Sequence, residues 1–567
     1  MNLLRISRLA YNTLTVSAPI ARHHQTKITI QMPNLMPAKK CYNYAITILA
    51  FVSHTTLSQT PAVAETIVTD RPNILFIIAD DASRDSMGIY GSTYVETPNF
   101  DRIAREGVLF TQAYNCNPKC APARACLLTG RYSWQLQEAC NHNPFLSDQW
   151  AFYPFLLEDA GYCVGYTGKG WGPGEFRGYD ASRTKDKINP AGHPFLTKKL
   201  KPPYKGINSI DYAGNFQEFL NQLPSQQPFC FWFGTKEPHR SYGKDNWKLD
   251  GRDLSKVTVP AYYPDNPTIR GDLADYAIEV EWYDRHIGGA LEQLEKRGML
   301  ENTLIIATSD HGMPFPRVKG QIYDDGFHIP LAVRWGNRIN PGRVVTDFIT
   351  FPDVAPTLLQ AAGVKLHPQF TGKSFLPQLL SKKSGRIDPD RDHTLLGKER
   401  HDIGRTDGDQ LSVGYPARAI RNDEYLYVRN FKPDRWPGGD PAYGLLNCDG
   451  SPTKSYLTDL SMADPDFRFY ELSFGKRKQE ELYDMKKDPD CVRNLAEDPR
   501  MKDIKTVLWN QLKQELAAQG DPRITGDGDI FDYYPNRQIS RQQQLYNSPD
   551  YDPVNAFKTR FGSATSP

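Results

Sequence analysis

The sequence predicts a doubly wound α/β domain, its sheet sandwiched by helices, followed by a smaller C-terminal α+β domain. Three observations carry this. Nearly continuous apolar runs recur from Asn73 onward, helical periodicities lie between them, and after about residue 415 the chain changes to short strand-like segments joined by turns. Asn73-Ile74-Leu75-Phe76-Ile77-Ile78-Ala79 has no alternation, as expected of a strand buried on both faces of a parallel sheet. A helix comes next, with Thr97 as N-cap, Pro98 at its first position and Gly107 closing it. Further strands are expected over 163–167, 229–234 and 304–308. A long amphipathic helix is expected over 272–297, where Tyr276, Val280, Tyr283, Ile287 and Leu291 recur at helical spacing. Alternation of this kind builds α/β layers. The smaller domain (416–520) is expected to hold strands over 417–421, 424–430 and 480–484 and a helix over 501–519. Residues 521–567 read as a polar tail with little core.

At 567 residues the chain exceeds one small core, which fits a large α/β domain over 65–415 with the smaller one after it. Lys+Arg 68 against Asp+Glu 66 leaves almost no net charge, which argues against nucleic acid as a partner. Lys39-Lys40, the apolar run from Tyr44 to Val52, and Ala62-Val63-Ala64 have the basic, apolar and small-residue order of a secretory signal peptide over 1–64. Translation from Met32 or Met36 would give it a more usual length. The apolar run is too short for a membrane anchor, so no membrane association is expected. The chain is expected to be exported, periplasmic or extracellular. Nine cysteines show no zinc-like spacing, and no disulfide can be assigned from them.

Asp80-Asp81 ends the first predicted strand, where open α/β sheets gather ligands. Adjacent carboxylates repel unless a cation lies between them, and oxygen donors suit calcium or magnesium; a strand end running into a helix cap is the plainer alternative. Asp310-His311-Gly312 succeeds the strand over 304–308 in the same way and supplies a second half-site. Cys120 falls at a turn into a helix, whose free N–H groups favour an anion, with Arg124 one turn on. Lys169 and His239 lie just past two further strands, and Lys319 lies in the loop after Asp310. Singly, such lysines are usually solvated surface groups. Together these residues converge on one edge of one sheet.

Cys120-Ala121-Pro122-Ala123-Arg124, running into Leu127-Leu128-Thr129-Gly130-Arg131, resembles the maturation signature of the type I sulfatases. The likeness runs from about Arg71 to about residue 500. It is nearest to the heparan N-sulfatases, through Ser309-Asp310-His311-Gly312-Met313-Pro314, Pro238-His239-Arg240, and Glu481-Leu482-Tyr483-Asp484. The resemblance implies an alkaline-phosphatase-like fold and a formylglycine made from Cys120 by a maturation enzyme. It implies Ca²⁺ held by Asp80, Asp81, Asp310, His311 and residue 120. Catalytic roles fall on Cys120, Arg124, Lys169, His239 and Lys319, substrate contacts on Trp171 and Arg240, and the implied substrate is a sulfated carbohydrate. His311 is a less natural ligand for a hard cation than an oxygen donor and could instead meet sulfate or the nucleophile. Trp171 stands where the family usually has a histidine, and an indole cannot carry a proton; it could stack on a sugar or pack in its loop. Lys319 stands where the heparan N-sulfatases place an arginine. An O-sulfatase, a phosphoesterase of the same superfold and a catalytically silent carbohydrate-binding relative are the alternatives.

Overall fold

A computed structural model describes residues 13–15, 29–31, 71–177, 189–401, 404–407, 410–538 and 552. The segment read as a signal peptide lies almost wholly outside them; within it Thr13–Thr15 pairs antiparallel with Thr29–Gln31. From Ile67 onward the chain forms one compact unit.

Eight strands make the main sheet: β1 (Asn73–Ala79), β2 (Val108–Phe110), β3 (Cys163–Gly168), β4 (His193–Pro194), β5 (Phe229–Gly234), β6 (Thr303–Ser309), β7 (Leu331–Arg334) and β8 (Arg343–Val345). Their order is β8-β2-β7-β6-β1-β5-β3-β4. Only β7 runs against the rest, so the sheet is mixed. The lack of alternation in β1 now has its cause. Ile74, Phe76 and Ile78 pack into one layer, and Leu75, Ile77 and Ala79 into the other. The first layer holds α2 (Cys120–Thr129); the second holds α1 (Pro98–Arg105) and the long α3 (Pro267–Lys296). At roughly 25 cal/mol per Å² of buried apolar surface, this double burial is what favours the sheet over a solvated chain.

Helix α3 begins one turn and more before the expected residue 272. Asn266 caps it, its side chain accepting from the Thr268 and Ile269 N–H groups, and Pro267 takes the first helical position. That cap signal precedes the apolar periodicity and so escapes a reading based on periodicity alone. Thr97 does precede α1, but its hydroxyl accepts from Gly88 N and donates to Asp101 instead of capping the helix. Gly107 closes nothing by a left-handed turn. A Cβ there would lie 2.0 Å from the Val333 carbonyl, so close packing against β7 requires the glycine.

The smaller sheet is antiparallel, in the order β9 (His393–Lys398), β10 (Ala417–Asn422), β11 (Tyr425–Asn430), β12 (Glu480–Asp484). It therefore starts at His393, upstream of the expected boundary at 416. Helix α4 (Lys502–Ala518) covers one face through Leu508, Leu512 and Leu516. The expectation that the chain after 520 carries little core fails over 521–536. Ile530, Phe531 and Tyr534 join the same apolar cluster, and the fully buried Asp521 pairs with the fully buried Arg418. Polar composition concealed this because the burial is of paired charges. Apart from exposed residue 552, the tail past 538 lies outside the described residues.

Candidate functional site

Cys120 is the first residue of α2, and its Sγ lies 3.3 Å from His311 Nε2 and 3.8 Å from Asp81 Oδ1. Burial pushes the thiol far above its ordinary range, against the pull of the Lys169 charge. A thiol so held is protonated and is a poor nucleophile. The environment suits a precursor of some other group better than thiolate chemistry.

The carboxylates arrive from strand ends, as the sequence predicts. Asp80 and Asp81 lie just past β1, and Asp310 and His311 just past β6, its parallel neighbour. Asp81 has φ 76°, a left-handed conformation that a non-glycine residue adopts only at a cost. Its N–H is fixed by Asp310 Oδ1 at 3.0 Å. Donor atoms of Asp81, Cys120, Asp310 and His311 all lie within 4.8 Å of one another. His311 Nδ1 donates to the Gly312 carbonyl at 3.0 Å, which leaves Nε2 as a lone pair 3.0 Å from Asp81 Oδ1. Burial lowers the His311 pKa, against the pull of Asp310 and Asp81, and so favours that neutral form. Converging lone pairs and carboxylates fit a cation. Asp80, expected among the ligands, stands outside this set. Lys169 Nζ takes both its oxygens, at 2.5 and 2.6 Å, and Arg124 reaches it at 3.3 Å.

Arg124 is fully buried and fully engaged. It donates to Asp310 at 2.8 Å and to the carbonyls of Lys169 and Gly170 at 3.0 and 2.9 Å, so it anchors the lysine loop and a carboxylate. Lys319 pairs with Asp81 at 2.6 Å and with Asp449 at 2.8 Å. Burial lowers its pKa, but Asp449 and Asp81 outweigh that and raise it well above the usual lysine value. His239 Nε2 is 3.9 Å from Asp81 Oδ2, and its Nδ1 donates to the Arg240 carbonyl. Thus Cys120, Arg124, Lys169, His239 and Lys319 do meet around the aspartates.

Two expected substrate contacts are turned into the protein. The Arg240 side chain is 5% exposed, forms a two-point ion pair with Asp272, and lies over the rings of Tyr242 and Phe315. Trp171 is 5% exposed and donates its indole N–H to the Ala121 carbonyl at 3.1 Å. It braces the first turn of α2 and is buried too deeply to stack on a sugar. Conversely, sequence reasoning missed Asp449 and Lys119. Asp449 comes from a loop of the smaller domain with no local motif. Lys119 precedes Cys120 directly and could have been noticed there; it is buried, and burial and the Lys319 charge lower its pKa. All eight cysteines among the described residues are free thiols.

The mixed sheet, with acids and lysines delivered to one end of its strands around a cysteine that opens a helix, defines a hydrolase of anionic esters with an alkaline-phosphatase-like fold. The sulfatase family model matches residues 72–364, and the chain belongs to the sulfatase family. It is 30% identical to an ulvan-active sulfatase of Formosa agariphila over 464 residues, covering 80% of this chain and 82% of that one. It is 28% identical to human N-sulphoglucosamine sulphohydrolase over 524 residues, covering 84% and 95%. Among solved structures, BT4656 in complex with its substrate D-glucosamine-2-N,6-O-disulfate aligns with TM-score 0.58 at 21% identity, over 81% of this chain and 99% of that one. The phosphonate monoester hydrolase of Agrobacterium radiobacter aligns with TM-score 0.57 at 19% identity, over 79% and 96%. The protein is a sulfatase.

Proposed function

We propose that the chain hydrolyses the N-sulfate of glucosamine in heparan-type glycans, with formylglycine at position 120 and a divalent cation, calcium, beside it. The observation that carries this is the convergence on Cys120 of Asp81, Asp310 and His311 from two adjacent strand ends. The thiol stands where the aldehyde would stand after a maturation enzyme has acted on Cys120. Formylglycine there would supply, in its hydrated form, a nucleophilic hydroxyl and a second hydroxyl that an unmodified cysteine lacks. A bound divalent cation would be held by Asp81, Asp310, His311 and residue 120, and would favour ionisation of the attacking hydroxyl.

The remaining roles belong to the chain's own side chains. Arg124 fixes Asp310 and the Lys169 loop; Lys169 and Lys319 present positive charge to sulfate oxygens as the bond to sulfur lengthens. His239, its Nδ1–H committed to the Arg240 carbonyl, would in its doubly protonated form give the Nε2 proton to the leaving amine. Support for the N-sulfate comes from the likeness to human N-sulphoglucosamine sulphohydrolase over nearly its whole length. We read the chain as exported, from the segment ending at Ala64. No helix among the described residues is long and apolar enough to cross a membrane.

An O-sulfatase is the second reading, favoured by Trp171, which occupies the family's histidine position and cannot transfer a proton. The deciding experiment measures sulfate release by the matured chain from glucosamine N-sulfate and from glucosamine 6-O-sulfate, each at the non-reducing end of a short heparan fragment. Release from the N-sulfate supports the proposal; release only from the O-sulfate, or from neither, overturns it.

A further inference from the structure

Among the described residues, Lys119 is the one lysine at the site without an acid. Lys169 has Asp80, and Lys319 has Asp81 and Asp449. Lys119 is only 4% exposed, and the single partner of its Nζ among those residues is the Asn447 carbonyl at 3.2 Å. A buried ammonium with one neutral hydrogen bond is costly, and a fold retains one where something else completes it.

Its surroundings are also incomplete. Asn117, two residues earlier, donates to the Cys140 carbonyl, which orients its amide so that Oδ1 accepts from His401 Nε2 at 2.8 Å. His401 Nδ1, on a residue 2% exposed, then has no partner among the described residues. His142 is drawn beside His401 by its backbone N–H on the Arg400 carbonyl, and its Nε2 is likewise buried without a partner among them. Burial lowers the pKa of His142, and the charges of Lys119, Lys319 and Lys169 lower it further. Asn143 Nδ2 donates to His142 Nδ1 at 3.1 Å, so the unpartnered Nε2 of His142 carries its proton, whereas the free Nδ1 of His401 is a lone pair; one ammonium, next in sequence to Cys120, and one imidazole N–H are thus left open to an acceptor.

We propose that Lys119, with the unpartnered Nε2–H of His142, forms a second anion subsite that takes a sulfate or carboxylate carried on the same carbohydrate as the sulfate being cleaved. This rests on the sulfatase reading of position 120 but not on the N-sulfate assignment.

The test uses the full matured chain and three short heparan-type probes that share one scissile sulfate. The first carries a second sulfate, the second a neighbouring uronic carboxylate, the third neither. The expected result is kcat/KM at least about tenfold higher for one of the charged probes, with that ratio falling toward unity in Lys119→Met. Which probe is favoured distinguishes sulfate from carboxylate. No preference in the parent chain overturns the proposal, and so does an equal loss on all three probes, which would assign Lys119 to the scissile sulfate. His142→Gln should lower the same ratio and serves if Lys119→Met does not fold. If no probe is hydrolysed, the reading of the scissile group has failed instead. Calorimetric affinities of Cys120→Ser for the same probes, with and without Lys119→Met, then decide the subsite alone: a ratio unchanged by the substitution overturns it.

Discussion

His311 Nε2 lies 3.0 Å from Asp81 Oδ1 while the other ring nitrogen donates to a backbone carbonyl, so a lone pair faces a carboxylate inside a buried site. Such a pair is repulsive until a cation lies between. Chelation should therefore abolish sulfate release and lower the melting temperature, and added calcium should restore both. At a free concentration of 100 times Kd the ligand adds about 2.7 kcal/mol of stability. The Asp81→Asn variant should lose most of the calcium-dependent shift in a thermal melt. A shift equal to that of the parent would show the cation to be held elsewhere.

Trp171 and Arg240 should behave as supports. Removing the indole N–H in Trp171→Phe takes away its bond to Ala121, at a cost of about 1 kcal/mol, and should lower kcat more than it changes KM. Arg240→Met leaves Asp272 buried without its cation and should cost about 3–5 kcal/mol. Denaturation curves with steady-state kinetics check both. A large rise in KM with unchanged stability would return either residue to the substrate.

Glu279 on α3 is buried, with Oε1 unpartnered among the described residues. Burial, with Glu237 and Asp275 nearby, pushes its pKa up to about 9. An unfolded glutamate releases its proton near 4.5. Between these values the folded state binds the extra proton, so this group's contribution to stability falls as pH rises from about 4.5 to about 9. Glu279→Gln keeps the shape without the ionisation. It should melt higher than the parent at pH 8, with the gap closing toward pH 4.5. A pH-independent gap would contradict the assignment.

The Arg418 guanidinium, fully buried, binds Asp521 at 2.6 Å and Glu399 at 2.9 Å. Arg418→Met strands Asp521, while Glu399 keeps Arg523 at 2.8 Å, and should destabilise the smaller domain by about 3–5 kcal/mol. Denaturation monitored through the tryptophans would show it. A loss below about 1 kcal/mol would mean that the 521–536 segment contributes little to the fold.

The strands and the acids at their ends were legible because their cause is local: burial on both faces makes β1 apolar throughout, and a strand end fixes the position of the residues just beyond it. Direction was not legible. Nothing in Gly170-Trp171-Gly172 says that the indole turns inward beneath α2, or in His239-Arg240 that the guanidinium turns toward Asp272. Partners from far along the chain were hidden too. Lys119 and the Asn447 carbonyl are 328 residues apart, and only the docking of the two sheets brings Asp449 to Lys319. Asn266-Pro267 was a readable cap passed over because the apolar repeat begins later.

Position 120 is the centre of the proposed chemistry, and the mass of the peptide containing it tests that most directly. The chain, produced with a formylglycine-generating enzyme and shown to release sulfate, should carry an aldehyde there that a hydrazide traps, with activity rising in step with the trapped fraction. A fully active chain whose residue 120 is an unmodified thiol would contradict the formylglycine assignment.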